Sequence, residues 1–129
     1  MVICIILFAS TINMPIHSIN MFTPLSIEES KKKIQDGLFI IDVREQKEYD
    51  QIRIPNSHLI PLNTISKEII ESKVGQNADI IIHCRSGMRS KTAANILVQQ
   101  GYEGNIFEID SGIMGWIESG QSTESNESK

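Results

Sequence analysis

The chain has 129 residues, 40% of them apolar and 22% charged, which suits one domain with a single core. A formal net charge of -4 argues against nucleic acid as a partner. Two cysteines, Cys4 and Cys84, and three histidines form neither a disulfide framework nor a zinc-ligand spacing.

Val2 to Ala9 is an apolar run too short to span a bilayer, and no Lys, Arg, Asp or Glu precedes Glu28. The run resembles the h-region of a secretory signal peptide, with Ser18 as the small residue before a cleavage point. Residues 1–20 are therefore expected to be a signal peptide or an unstructured leader, and the location to be periplasmic or secreted. The flanks lack a basic n-region and a small-x-small site, so the alternative is a cytoplasmic protein starting at Met21.

Ser26 and Glu29 have the form of a capping box, and Ile27, Ser30 and Ile34 continue a helical face that Gly37 closes. Leu38 to Val43 reads as a buried strand of the parallel type, and Gln46 to Gln51 as a short helix. Pro55-Asn56-Ser57 marks a turn, followed by an extended piece from His58 to Pro61. Leu62 to Lys73 reads as one helix with Ile65, Ile69 and Ile70 inward. After a loop at Gly75 to Asn77, Ala78 to His83 is the clearest strand. Ser90 to Gln100 is a helix packed through Ala93, Ala94, Leu97 and Val98 and stopped by Gly101. Ile106 to Ile109 is a further strand, and Gly112 to Ser119 a short helix carrying Trp116 as a core residue. Residues 121–129 are rich in Ser and Glu and are expected to be a disordered polar tail, leaving 21–120 as the domain.

Strands alternate with helices, and the central strands lack polar alternation. The expected fold is α/β, with a mostly parallel sheet of about five strands and helices on both faces. Ligand sites in such sheets lie beyond the carboxyl ends of the strands, where Cys84, Asp42 and Arg44 fall.

Cys84-Arg85-Ser86-Gly87-Met88-Arg89 therefore connects a strand end to a helix start. A thiolate is the nucleophilic form of cysteine, and helix N-termini and nearby cations favour it. Gly87 lets the backbone turn and aim its N–H groups inward, as an anion nest requires. An isolated cysteine is often an inert buried hydrophobe, but Arg85 and Arg89 make this loop anion-facing. Asp42 and Arg44 read as charged braces at the sheet end, pairing with neighbours such as Glu48. Alternation turns His83 away from Cys84.

Three ordered blocks resemble the rhodanese family of sulfurtransferases. They are Ile41-Asp42-Val43-Arg44-Glu45 with Glu48-Tyr49 and Ile54-Pro55, His83 through Ser90, and Gly112-Ile113-Met114-Gly115-Trp116. The likeness covers about residues 22 to 120. Ile52-Arg53 stand where the family usually has Gly-His, and Asn56 and Ser111 where Gly is common. Arg53 reads as added positive charge near the site or as a solvated surface residue, the commoner role.

The resemblance implies a rhodanese-like fold and a thiosulfate sulfurtransferase working through a persulfide on Cys84. Arg85, Ser86, Gly87, Met88 and Arg89 would bind the substrate, Arg85 facing the donor's sulfonate and Arg89 closing the loop. Asp42, Arg44 and Glu48 would support them. The implied partners are a small anionic sulfur donor and a thiol or cyanide acceptor, with no cofactor, no metal, no stable membrane association and a monomeric state. A persulfide carrier with little thiosulfate turnover is the alternative. A cysteine phosphatase or arsenate reductase would need one more residue between Cys84 and Arg89 than the four present.

Overall fold

Three consecutive isoleucines fill the centre of the molecule. The computed structural model describes residues 21–126. Its sheet has five parallel strands: β1 (Thr23–Leu25), β2 (Phe39–Asp42), β3 (Ser57–Leu59), β4 (Ile80–His83) and β5 (Ile106–Ile109), in the order β1-β5-β4-β2-β3. The helices are α1 (Ile27–Gln35), α2 (Gln46–Gln51), α3 (Lys67–Val74), α4 (Met88–Gln99) and α5 (Gly112–Glu118). This is the expected α/β architecture. None of these helices is long and apolar enough to cross a membrane.

Both sheet faces are buried, so β2 and β4 carry continuous apolar runs, Phe39-Ile40-Ile41 and Ile80-Ile81-Ile82, rather than alternating ones. Ile80, Ile82 and Cys84 turn to one face, with Ile41, Val43 and Ile106, beneath Ile70 of α3 and Ala93, Ala94 and Leu97 of α4. Ile81 turns to the other, with Leu25, Ile40 and Ile109, beneath Ile27 and Ile34 of α1 and Ile113 and Trp116 of α5. Ile80, Ile81 and Ile82 are fully buried. Each contributes roughly 1.5–3 kcal/mol relative to exposure. The same parity carries Cys84 toward α4 and His83 to the opposite side, as the pleat requires.

Four expectations need correction. β1 lies at a sheet edge, paired to β5 through Thr23 and Phe107, where no strand was expected. It is three residues long and contains Pro24, which an edge tolerates. The single helix expected over Leu62 to Lys73 divides into a 3-10 turn, Leu62–Thr64, and α3. Ile65 is extended, and the Ser66 hydroxyl accepts the Ile69 N–H at 3.1 Å, so the chain recaps and starts again. α4 starts at Met88, two residues before Ser90, because Gly87 at φ +107 takes the left-handed conformation that turns the loop into the helix.

The fourth correction concerns the tail. Residues 121–126 are docked rather than disordered. Trp116 Nε1 donates to the Ser122 carbonyl at 2.8 Å, and Arg53 and Glu124 exchange two backbone hydrogen bonds at 2.9 Å. The Arg53 guanidinium lies over the Tyr49 ring and donates to Asn126 Oδ1 at 2.7 Å. Arg53 is thus an anchor for the C-terminal segment rather than a solvated surface residue. These contacts are polar, so they leave no apolar period in the sequence. The leader at residues 1–20, with Cys4 and the expected location that rests on it, and the tail end at 127–129 lie outside the described residues.

Candidate active site

The β4–α4 junction builds a cradle around one sulfur. Cys84 follows the last residue of β4 and is 1% exposed. The chain then wraps back so that the first amides of α4 face it. Gly87 N–H donates to Cys84 Sγ at 3.2 Å and Ser90 N–H at 3.3 Å. These amides lack helical partners, and the helix dipole is positive at this end. The Ser90 hydroxyl stands 3.6 Å from the sulfur. Burial pushes the Cys84 thiol up, but the Ser90 hydroxyl and the Ser90, Gly87 and Ser86 amides outweigh it, leaving the thiol below its ordinary value.

The loop is clamped from outside. α5 presents two free amides, and Ile113 N–H donates to the Cys84 carbonyl at 2.9 Å and Met114 N–H to that of Arg85 at 3.1 Å. Gly112 permits this approach: it sits at φ +66, and a Cβ there would collide with the Arg85 carbonyl. A Cβ on Gly87 would likewise meet the Asp110 carbonyl.

The loop residues divide by exposure. Arg85 and Ser86 are exposed at the rim, and the Arg85 side chain makes no hydrogen bond or ion pair with the described residues. Met88 is 79% exposed. Arg89 turns away from the sulfur into a bidentate pair with Glu48, Nη1 to Oε1 at 2.9 Å and Nη2 to Oε2 at 3.0 Å. Glu48 Oε1 also accepts the Glu45 N–H at 2.8 Å, fixing it at the start of α2. The Arg89 hydrogen bonds hold the Glu48 carboxyl down at about 2, against a smaller upward push from burial. The same hydrogen bonds raise Arg89, and the negative charge of Cys84 adds to that rise.

Asp42 and Arg44 pair with each other, and Glu48 does not join them. Arg44 Nε and Nη2 grip both Asp42 oxygens at 2.8–3.1 Å, and Nη2 also donates to the Ile52 carbonyl at 2.6 Å. His83 Nε2 lies 3.4 Å from Asp42 Oδ2, on the face opposite Cys84. Burial, opposed by Asp42, lowers His83 and keeps it neutral. Asn56, where the resemblance leads one to expect glycine, sits at φ +67, which asparagine tolerates. Ser111 at φ -90 needs no glycine.

Sequence reading missed Glu108 and Lys91. Glu108 is fully buried on β5, its Oε2 accepting from Ser90 Oγ at 2.5 Å and both oxygens from Lys91 Nζ at 3.2 Å. Lys91 also pairs with Asp110 at 2.8 Å. The available signal was a carboxylate inside an apolar strand, in register with Ile106 on the Cys84 face.

The Rhodanese-like domain profile matches residues 26–119. The chain belongs to the rhodanese-like domain family. It is 35% identical over 94 residues to YrkF, a candidate sulfur carrier protein of Bacillus subtilis, covering 71% of this chain and 49% of YrkF, so it spans about half that relative's length. It is 31% identical over 96 residues to the thiosulfate sulfurtransferase GlpE of Pseudoalteromonas translucida, covering 74% of this chain and 89% of GlpE. The solution structure of a rhodanese-like domain from Anabaena superposes with a TM-score of 0.72 at 23% identity, over 84% of each chain, which supports the rhodanese-like fold.

Proposed function

We propose that this protein moves a sulfane sulfur from thiosulfate or a similar donor to a thiol or cyanide, through a persulfide on Cys84. The observation that carries the reading is the Cys84 sulfur held by the Gly87 and Ser90 amides at the mouth of α4. The Cys84 thiolate attacks the outer sulfur of thiosulfate. A new S–S bond forms, the donor S–S bond breaks, and sulfite leaves with the electron pair. The acceptor then attacks the outer persulfide sulfur, and the electron pair of that S–S bond returns to Cys84. Two displacements through one covalent intermediate give ping-pong kinetics. The cradle amides would stabilise the anion before and after loading, and Arg85, exposed at the rim, would meet the donor's sulfonate.

The likeness to YrkF supports a second reading, a persulfide carrier that is loaded by a partner. Thiocyanate formation from thiosulfate and cyanide, with wild type and Cys84→Ser, separates the two. Turnover that Cys84→Ser abolishes supports the transferase. A Cys84 persulfide seen by mass spectrometry without turnover supports the carrier. Hydrolysis of an aryl phosphate in place of either would overturn both.

A further inference from the structure

The Ser90 hydroxyl has one proton and three claimants: the Gly87 carbonyl, 3.1 Å away, Glu108 and the sulfur of Cys84. It lies 2.5 Å from Glu108 Oε2 and 3.6 Å from Cys84 Sγ, and all three residues are buried. A hydroxyl donates once and accepts twice. When its proton points at Glu108, only its lone pairs face the sulfur. That arrangement suits a thiol, which can donate to Ser90, and offers a thiolate nothing. When the proton turns to the sulfur, the thiolate gains a charge-assisted hydrogen bond and Glu108 loses one.

We propose that Glu108 is a positioning residue that sets the reactivity of Cys84 by competing with its sulfur for the Ser90 proton. This rests on the reading of Cys84 as a nucleophile. The surrounding charges fit the role. Lys91 from α4 spans both Glu108 oxygens at 3.2 Å and Asp110 at 2.8 Å, offsetting the carboxylate's direct field at the sulfur. On the other side of Cys84 stand Arg89, neutralised by Glu48, and the exposed Arg85. His83 faces away toward Asp42. The Ser90 hydroxyl is therefore the one side-chain donor that reaches the sulfur among the described residues. The backbone amides supply a fixed stabilisation, and Glu108 governs the adjustable part.

Glu108→Gln keeps the shape and replaces the anion with a weaker acceptor whose amide can donate to Ser90. The Ser90 proton is then left to the neutral Gly87 carbonyl and the sulfur, and a thiolate, as the charged acceptor, draws it. The pH profile of Cys84 alkylation by iodoacetamide should shift down by about one pH unit, the size of one hydrogen bond to a charged group. In a Ser90→Ala background the same substitution should shift the profile by less than about a third of that, because the messenger is gone. An equal shift in both backgrounds would mean that Glu108 acts by its charge alone and would overturn the proposal. An unchanged or raised midpoint would do the same. Should Glu108→Gln fail to fold, Glu108→Asp retains a partner for Lys91 while withdrawing the acceptor from Ser90. It should lower the midpoint by a smaller amount, and no change or a rise would again refute the idea. Alkylation needs no sulfur donor. A protein that shows the coupled shift but forms no persulfide retains the Glu108 control and loses the sulfurtransferase reading, and the converse result does the reverse.

Discussion

Replacing Gly112 with alanine tests how tightly α5 clamps the cradle. The residue sits at φ +66, a conformation that costs a residue with a Cβ roughly 1–2 kcal/mol. The added Cβ would also strike the Arg85 carbonyl and stand 2.7 Å from the Cys84 carbonyl oxygen. Neither is a flexible side chain that can step aside, so the loop or the helix must shift, and such overpacking costs about 1–3 kcal/mol. The sum is about 2–5 kcal/mol of stability. The displacement falls on the carbonyls that Ile113 and Met114 hold, so it reaches the amides around the sulfur. Urea unfolding should show the stability loss. Thiocyanate formation, measured where the variant is fully folded, should fall at least tenfold, since small misplacements near reacting atoms are expensive. A loss below 1 kcal/mol with an unchanged rate would refute the clamp.

Glu48→Gln removes the partner of Arg89. The full drop of the Glu48 carboxyl to about 2 overstates its value, because the pair is about one-third exposed and solvent screens it, so the expected cost is about 1 kcal/mol. The sign follows from a depressed carboxylate: the pair's contribution is complete above pH 4.5 and fades as the pH falls toward 2, so wild type and variant should converge in acid-unfolding curves. A gap that persists at pH 2 would contradict this. Asp42→Asn leaves Arg44 buried without its anion, and thermal or urea unfolding should show a loss of about 3–5 kcal/mol; less than 1 kcal/mol would show the pair to be dispensable. Arg53→Ala should release the C-terminal segment, read as lost hydrogen-exchange protection at the Glu124 amide, and retained protection would show that the backbone bridge suffices.

Much of the fold was legible because apolar strands and helix caps are local signals. Ile80-Ile81-Ile82, the Ser26–Glu29 box and the glycine after α4 each act within a few residues. β1 was not legible, since three residues with a proline acquire strand geometry only through β5. The Cys84 loop could be read because it is contiguous. The Arg89–Glu48 pair spans 41 positions and Ser90–Glu108 spans 18, so neither announces itself along the chain. Arg44 was matched to the wrong carboxylate for a different reason: its partner Asp42 is local, two residues away on the same side of the sheet end, and captures it ahead of Glu48.

Cys84 lies almost flush with the floor of its cradle. A side chain so deeply buried favours a slender group with one terminal atom, so under the proposed function width would act as a filter on the donor. Once a second sulfur is attached, the reactive atom is carried about 2 Å further along the S–S bond, toward the mouth. On the proposed chemistry, loading and unloading would then meet openings of different depth, so a thiol too broad to reach the empty protein would still be able to collect sulfur from the charged one.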